Sequence, residues 1–181
     1  TNGKSTACKL IQYIFKTNRT DAQLGGNIGK PVLDLNIKRK SIVIIEASSF
    51  QLTYSKFIKP NFAAILNISI DHLDWHGTIT NYKDSKLKIF SQQDSNDIAL
   101  LNNKKLINTF NKKKYLSKLK IVKRSILNNI IKKKITNNYL ISEPNFENLL
   151  FAYQISKIFN IKTKVFLKAV NHFKGLPHRH E

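Results

Sequence analysis

Apolar residues recur with helical spacing in four stretches of the chain. In residues 4–16 the apolar positions are Ala7, Leu10, Ile11, Ile14 and Phe15, the i, i+3, i+4 pattern of a helix with one buried face. The same spacing predicts helices over residues 80–93, 145–159 and 163–171. The helix at 80–93 is expected to begin with Thr80 or Asn81 as its cap. The helix at 145–159 is expected to be opened by Ser142, Pro144 and Asn145.

Short apolar runs between these helices predict strands. Residues 41–47, 62–68 and 97–101 are rich in Ile, Val, Ala and Leu and have the character of buried parallel strands. From about residue 115 to 141, Lys and Asn alternate with Ile, Leu and Val, which predicts a small antiparallel sheet. We therefore predict one α/β domain with a mostly parallel sheet, helices on both faces and this small antiparallel sheet.

Basic side chains far outnumber acidic ones. The 31 Lys and Arg against 11 Asp and Glu give a net charge of +20, which makes nucleic acid a candidate partner. The lysines are spread among Asn and Ile along the chain, and we interpret the runs at 112–114 and 132–134 as solvated loop or edge-strand charges. A basic nucleic-acid-binding protein without catalysis stays as the alternative, and it predicts steeply salt-dependent binding.

Hydropathy and cysteine usage place the protein in a broad class. The sequence has no run of about 18 apolar residues of the kind that crosses a membrane. Its single cysteine, Cys8, falls within the first predicted helix and has no partner for an internal disulfide. We expect a cytoplasmic protein that binds neither membranes nor nucleic acid.

The first six residues, T-N-G-K-S-T, contain the G-K-S core of a phosphate-binding loop. In such a loop glycine lets backbone N–H groups approach phosphate oxygens, the lysine reaches the β- and γ-phosphates, and the serine hydroxyl ligates Mg²⁺. The bland alternative is a helix start with Gly3 in the turn and Ser5 in the first helical turn. Because the sequence opens inside the motif, we expect it to be a fragment of a longer protein.

Two features follow the first helix. Residues 24–31 contain three glycines and form either a flexible turn or a second ligand loop in which Asn27 offers an amide. Glu46 ends the predicted strand at 41–47, and the carboxyl ends of strands are where α/β sheets bind ligands. Glu46 is therefore a candidate metal ligand together with Ser5; the alternative is a glutamate that leaves the sheet into solvent.

The predicted strand at 62–68 leads into a dense polar cluster. Its members are Asn67, Ser69, Asp71, His72, Asp74 and His76. Carboxylate and imidazole groups beside phosphate suit Mg²⁺ or Mn²⁺, although a solvated loop is the alternative. Lys86 lies on the apolar face of the helix at 80–93, where spacing alone indicates a lysine whose amine snorkels to water.

Taken in order, these motifs resemble one family. T-N-G-K-S-T, G-G-N-I-G, E-A-S-S-F-Q-L, N-I-S-I-D-H-L-D-W-H-G-T, Y-K-D-S-K-L-K-I-F, N-F-E-N and F-K-G-L-P-H-R-H-E are similar to the central ATP-binding domain of the Mur ligases. The resemblance covers nearly the whole chain. The segments S-S-F-Q-L and G-L-P-H-R are most similar to the members that act on UDP-N-acetylmuramoyl-L-alanine, whereas another Mur-type or a folylpolyglutamate-type ligase is the alternative.

The resemblance implies a reaction in peptidoglycan precursor synthesis. Such a ligase uses ATP to phosphorylate the carboxylate of UDP-N-acetylmuramoyl-L-alanine, and the amine of D-glutamate then displaces phosphate. It also implies two Mg²⁺ sites and a CO₂-derived carbamate on Lys86. A desolvated lysine loses basicity, which favours this modification. A full-length member is expected to be a monomer.

The resemblance also implies roles for individual residues. Those expected to take part in catalysis are Lys4, His72 and Lys86. Those expected to contact ATP are Asn2, Gly3, Lys4, Ser5, Thr6, Asn145, Asn148, His178 and Arg179. Those expected near the muramoyl substrate or the phosphate are Asn27, Ser48 and Gln51. The expected metal ligands are Ser5, Glu46, His72 and the modified Lys86.

The chain departs from the family pattern at a few positions, namely Ala47, Trp75, Pro144 and His180. Pro144 stands where the family usually has histidine before Asn145, so the adenine contacts do not follow from the resemblance. Family members also have an N-terminal domain for the uridine nucleotide and a C-terminal domain. Neither is expected in residues 1–181, and we expect no ligase activity from this stretch alone.

Overall fold

Helices and short parallel strands alternate along the chain, as the α/β prediction requires. The computed structural model describes residues 2–69 and 71–176. Across those residues the helices are α1 (Lys4–Thr17), α2 (Ser49–Tyr54), α3 (Leu73–His76), α4 (Ile79–Leu87), α5 (Lys104–Lys112), α6 (Asn129–Lys133), α7 (Asn138–Ile141), α8 (Glu143–Ile158) and α9 (Thr163–His172). The strands are β1 (Ala22–Gly26), β2 (Ile42–Glu46), β3 (Phe62–Ala64), β4 (Ile98–Leu101) and β5 (Lys118–Ile121). Short 3₁₀ turns occupy Val32–Asp34, Lys88–Phe90 and Arg124–Ile126.

Contacts divide the chain into two compact units. The central unit contains Ala47–Val122 together with Asn2, and the terminal unit contains Gly3–Glu46 together with the residues from Lys123 onward. Each unit has its own sheet and its own apolar core. None of the helices in the described residues combines the length and apolar character needed to cross a bilayer.

The terminal unit is built around α1. This helix packs against α8 and α9 with Leu10, Ile14 and Phe15 almost completely buried, as its periodicity predicted. The Phe15 ring meets Phe159 edge to face at 4.9 Å between centroids. Burial of side chains of this size contributes about 1.5–3 kcal/mol each, so the interhelical face of α1 is a main source of stability for the unit.

The same unit holds a parallel strand pair. β1 pairs with β2 in a register that runs from Ala22 opposite Ile42 to Gly26 opposite Glu46. This pairing delivers Glu46 to the carboxyl end of the pair, beside the glycine-rich loop. β2 confirms the predicted strand, but Ile45 is 45% exposed, so the strand is less buried than its composition indicated.

The central unit has a three-stranded parallel sheet in the order β3-β4-β5. β4 lies in the middle, and Ala99, Leu100 and Leu101 are fully buried. One apolar cluster joins the sheet to α4, α5 and the adjoining 3₁₀ turn; its members are Ala63, Ile65, Leu87, Phe90, Ala99, Leu101, Leu106 and Phe110. This cluster fixes α4, which carries Lys86, against the sheet.

The antiparallel sheet predicted over residues 115–141 is wrong. Within that stretch only β5 is a strand, and it runs parallel to β4. A 3₁₀ turn, α6 and α7 follow β5. Both helices begin with an asparagine cap: the side chain of Asn128 accepts a hydrogen bond from Ile131 N at 2.9 Å, and that of Asn137 accepts one from Leu140 N at 3.3 Å. Period-2 alternation over so few residues fits a short capped helix as well as a strand, and the caps favour the helix.

The lysine runs are solvated, as predicted, but they lie at helix ends. Lys112 ends α5, and Lys132 and Lys133 form the last turn of α6. Positive charge at a helix C-terminus is stabilised by the helix dipole. Lys112, Lys132 and Lys133 therefore have a structural role at the ends of their helices.

Three smaller expectations also differ. β1 was not predicted, because its sequence A-Q-L-G-G has little β propensity. The strand expected at 62–68 is only three residues long. The helix expected at 80–93 is capped by Thr78, which accepts a hydrogen bond from Asn81 N at 3.1 Å, and not by Thr80 or Asn81.

Asn137 is expected to contribute more to stability than an ordinary helix cap. Besides capping α7, its Nδ2 donates to the carbonyl oxygens of Val170 and Phe173, both at 2.8 Å. The Asn137→Ala variant should lower the free energy of unfolding in urea by about 2–3 kcal/mol, because three hydrogen bonds are lost. Asn128→Ala removes a cap with a single bond and should cost about 1 kcal/mol. Equal losses in the two variants would contradict the tie between α7 and α9.

Candidate functional site

The turn that begins α1 depends on Gly3. Its φ of 87° lies in the left-handed region, and a Cβ at this position would lie 2.3 Å from Asn148 Oδ1. The Gly3 carbonyl accepts the bond from Ala7 N at 2.8 Å that starts the helix. α1 has no acidic side chain in its first turn, so its positive end is not offset within the helix. This geometry suits close approach of an anion.

The next three residues open α1 itself. Lys4 is half-buried, whereas Ser5 and Thr6 are almost completely buried. Thr6 Oγ1 lies 3.4 Å from the Tyr139 hydroxyl, which fixes its side chain. The structure therefore confirms the predicted helix, which begins at Lys4 directly after Gly3.

Asn2 belongs to the central unit and pairs with Asn67. The backbone N of Asn2 donates to Asn67 Oδ1, and Asn67 Nδ2 donates to Asn2 O, each at 3.2 Å. The two residues are 65 positions apart in sequence. Asn67, which follows β3, thus holds the residue directly before Gly3.

Glu46 and Asn27 form a second candidate group in the terminal unit. Glu46 is 2% exposed at the end of β2, and Asn27 Nδ2 donates to its Oε1 at 2.9 Å. The two backbones also bond, Asn27 N to Glu46 O at 2.8 Å. Gly26 has a φ of 101°, and a Cβ there would lie 2.3 Å from Glu46 O, so the glycine permits this close approach. The glycine-rich loop therefore positions Asn27 against the carboxylate.

Whether a cation fits beside Glu46 depends on the second oxygen of its carboxylate. Glu46 Oε2 is buried and has no hydrogen-bond partner among the residues that the structure describes. A buried anionic oxygen without a partner is costly unless a cation meets it. Within residues 2–69 and 71–176, no three His, Cys, Asp or Glu side chains form a metal-binding group. A cation such as Mg²⁺, which prefers oxygen ligands, would satisfy this carboxylate oxygen.

Cys8 reports on the electrostatics of this region. Burial above all, together with the charge of Glu46, raises the pKa of its thiol to about 12, and Lys4 opposes the rise. The thiol therefore lies within electrostatic reach of both Lys4 and Glu46, two of the residues that the sequence nominated. The side chain itself is half-buried within α1.

Asn148 of α8 lies against the Gly3 turn, and Asn145 pairs with it. Asn148 is 2% exposed, and its Nδ2 donates to Asn145 Oδ1 at 3.2 Å. Pro144 lies in the first turn of α8, where a missing N–H costs nothing. The structure thus brings Asn148 against the turn at Gly3. The candidates His178 and Arg179, and the departure at His180, lie outside the described residues.

In the central unit, Ser48 and Gln51 form the N-terminal cap of α2. Ser48 Oγ accepts a bond from Gln51 N at 3.2 Å, and Gln51 Oε1 accepts one from Ser48 N at 2.9 Å. This reciprocal pattern is a capping box, which the spacing S-x-x-Q foreshadows. Both candidate substrate residues therefore have a structural task as well.

His72 and Lys86 lie near the same aromatic ring. His72 is the N-cap of α3 with a φ of 52°, a rare conformation for a residue with a side chain. Its ring centroid lies 6.3 Å from that of Tyr82, and Lys86 Nζ lies 4.6 Å from the same Tyr82 centroid. Lys86 is 6% exposed, so it does not snorkel to water as its spacing alone indicated. Asp71 lies beside His72, with 3.4 Å between Oδ2 and Nε2.

His76 was grouped with the polar cluster but was given no role. It is 7% exposed, and its Nε2 lies 3.0 Å from the buried Ser49 Oγ. Burial lowers the pKa of His76, His72 and Lys86 lower it further, and Asp74 raises it. The spacing Asp-His-x-x-x-His gave no signal for the bond to Ser49, because the serine precedes His76 by 27 residues.

Comparison with known proteins identifies the family. Residues 1–168 match the Mur ligase middle domain, so the chain belongs to the Mur ligase family. Several relatives carry the name UDP-N-acetylmuramoylalanine–D-glutamate ligase. Those from Pseudothermotoga lettingae, Aquifex aeolicus and Clostridioides difficile are 31%, 34% and 36% identical to the chain over 99–100% of its length. The chain spans only 43–45% of these relatives.

Solved structures agree on the fold. A UDP-N-acetylmuramoyl-L-alanyl-D-glutamate–2,6-diaminopimelate ligase superposes with a TM-score of 0.70 at 18% identity, over 99% of this chain and 46% of that one. A UDP-N-acetylmuramate:L-alanyl-γ-D-glutamyl-meso-diaminopimelate ligase from Neisseria meningitides gives 0.69 at 15% identity, over 97% and 64%. These likenesses confirm the α/β class with parallel strands and flanking helices.

Proposed function

We propose that this chain is the ATP-binding part of a ligase that joins D-glutamate to UDP-N-acetylmuramoyl-L-alanine. The names of the relatives support the pair of substrates. The observation that carries the nucleotide part is Glu46 Oε2, a buried carboxylate oxygen without a partner among the described residues of its unit. In this proposal the remaining substrate contacts come from the parts of the longer relatives that lie outside the matched region.

The residues at the start of α1 have defined tasks in this proposal. The N–H groups after Gly3 and the Lys4 ammonium bind the β- and γ-phosphates, and Thr6 stabilises the turn through Tyr139. Ser5 and Glu46 are the residues that would hold Mg²⁺, and the ion would supply positive charge to the triphosphate. Asn27 keeps the Glu46 carboxylate in place through its bond to Oε1. Asn148, which lies against the Gly3 turn, and its partner Asn145 are assigned to the nucleotide.

The proposed chemistry has two steps. A carboxylate oxygen of the muramoyl substrate bonds to the γ-phosphorus, and the bond from that phosphorus to the bridging oxygen of ADP breaks. The amine of D-glutamate then bonds to the acyl carbon, phosphate leaves with the electrons of the C–O bond, and solvent takes the amine proton. Because both steps bring anions together, their barriers depend on positive groups fixed in advance.

The central unit contributes His72 and Lys86 to this proposal. The neutral amine of Lys86 adds to the carbon of CO₂, one C=O electron pair moves to oxygen, and one N–H proton passes to solvent. The product is a carbamate, an anionic oxygen donor on a buried side chain that lies over the Tyr82 ring. His72 and this carbamate are the donors assigned to a second Mg²⁺. Ser48 and Gln51 are assigned to the substrate side.

Calorimetric titration of the 181-residue chain with MgATP tests the nucleotide part. We expect binding that weakens at least about tenfold in Lys4→Ala, because a charge-assisted contact to phosphate is lost. Lys16→Ala, at the exposed C-terminal end of α1, is the matched control and should bind as the unchanged chain does. Equal affinities in the two variants would contradict the assignment. Salt-sensitive binding to an oligonucleotide, indifferent to Lys4, would favour a nucleic-acid-binding protein.

A further inference from the structure

A single buried imidazole links the three helices that carry the central-unit candidates. His76 ends α3, whose cap is His72; its side chain reaches Ser49 of α2; and its ring packs on Tyr82 of α4. α2 begins beside Ser48, and α4 carries Lys86. His72 is thus in direct contact with His76, and Lys86 is linked to it through Tyr82.

The backbone of His76 holds His72. Its N–H donates to the His72 carbonyl at 3.0 Å, which closes the single turn of α3. Its own carbonyl accepts from Thr78 N at 2.9 Å and from Asn81 Nδ2 at 3.1 Å, which fixes the turn into α4. α3 therefore begins at the left-handed His72 and is held by hydrogen bonds at its C-terminal residue, His76.

The side chain of His76 supports Lys86 through Tyr82. The imidazole stacks on Phe50 with 5.6 Å between centroids and an interplanar angle of 28°. It meets Tyr82 edge to face at 5.0 Å, and Lys86 Nζ lies over that same Tyr82 ring. The bond to Ser49 fixes the rotation of the imidazole, because Ser49 itself is 2% exposed and held in α2. Without the bond to Ser49 the imidazole would be free to rotate, and the surface against which Tyr82 packs would be less well defined.

We propose that His76 is a positioning residue that, through its bond to Ser49, holds Tyr82 and thereby fixes Lys86 beside His72. This inference rests on the proposed function only because that function assigns Lys86 and His72 to a metal site. The contacts themselves, Ser49 to His76 to Tyr82 to Lys86, are features of the described structure. An apolar ring in place of His76 fills the same space but cannot bond to Ser49. If His76 only fills space, such a ring should leave Lys86 in place; if the bond to Ser49 matters, Lys86 should move.

Two readouts on the 181-residue chain test the proposal. The first is the ring-current shift of the Lys86 ε-methylene protons, which the Tyr82 face produces and which does not depend on CO₂. The second is the carbamate carbon signal in ¹³C-bicarbonate, identified by its loss in Lys86→Arg. The variants are Ser49→Ala and His76→Phe, which break the same bond from either side. Ser156→Ala is the control, since it removes a buried hydroxyl whose bond to Ala152 O is local, in the terminal unit.

Both Ser49→Ala and His76→Phe are expected to move the Lys86 methylene shift toward its value in an unfolded chain. Both should also lower the carbamate fraction at fixed bicarbonate by about threefold or more. The double variant should add little to either single one, because one bond is lost in all three. Ser156→Ala should match the unchanged chain in both readouts. A folded Ser49→Ala chain with an unaltered methylene shift would overturn the proposal. A chain without any Lys86 carbamate would instead contradict the assigned function, and the methylene shift would still decide the role of His76.

Discussion

The Gly3→Ala variant is expected to lose MgATP binding and to unfold more easily. The methyl group would meet Asn148 Oδ1 at 2.3 Å and its Nδ2 at 2.9 Å, and the φ of 87° is unfavourable for any residue with a Cβ. The two effects together should lower the free energy of unfolding by about 2–4 kcal/mol. MgATP affinity should fall by more than about tenfold, because the displaced turn no longer directs its N–H groups at the phosphates. Urea denaturation and calorimetry measure the two effects.

The chain offers a matched control for backbone strain. Gly77 has a φ of 72°, but a Cβ there would meet nothing within 4 Å. Gly77→Ala should therefore cost only the conformational part, about 1–2 kcal/mol, and should leave MgATP affinity in place. Adding Asn148→Ala to Gly3→Ala removes the clash but not the strain, so the double variant should regain part of the stability. No recovery would show that Asn148 does not confine the turn.

The Glu46→Gln variant is expected to move stability and MgATP affinity in opposite directions. Glutamine keeps an oxygen for the Asn27 bond and removes a buried charge whose second oxygen has no partner among the described residues. Without metal, the free energy of unfolding should rise by about 1–2 kcal/mol. With MgATP, affinity should fall about tenfold or more, because an amide is a far weaker ligand for Mg²⁺ than a carboxylate.

Glu143→Gln is the control for the loss of one negative charge. Glu143 is exposed and lies 3.0 Å from Arg124, a surface ion pair of the kind that contributes about 0–1 kcal/mol. This variant should change neither stability nor MgATP affinity by a measurable amount. If Glu46→Gln lowered stability and affinity together, the carboxylate would be a structural group and not a metal ligand.

The sequence predicted the parts of the fold in which apolar spacing is long and regular. α1, α8 and α9 follow a sustained i, i+3, i+4 pattern, and the predicted helices agree with the structure to within a few residues. β1 was not predicted because A-Q-L-G-G lacks an alternation of apolar and polar residues. These residues form a strand through backbone pairing with β2. The error over residues 115–141 has the opposite cause, since short capped helices and strands share the same alternation over a few residues.

The candidate site shows the same division. Gly3, Lys4 and Ser5 were nominated by a motif whose geometry is local, and the structure places them at the start of α1. The bond between Asn27 and Glu46 joins residues 19 positions apart, so only the paired strands bring it about. The bond between Ser49 and His76 depends in the same way on how α2 and α3 pack. Contacts of this kind follow from tertiary structure and leave no periodic trace in the sequence.

The asparagine caps of α5, α6 and α7 have a consequence for solution conditions. Asn103, Asn128 and Asn137 bind the first N–H groups of these helices with neutral amides, whereas aspartate would add charge. An amide neither titrates nor is screened by ions, so these helix starts keep their strength in dilute acid and in concentrated salt alike. In a chain with only 11 acidic residues, acid unfolding then depends on a handful of carboxylates and histidines.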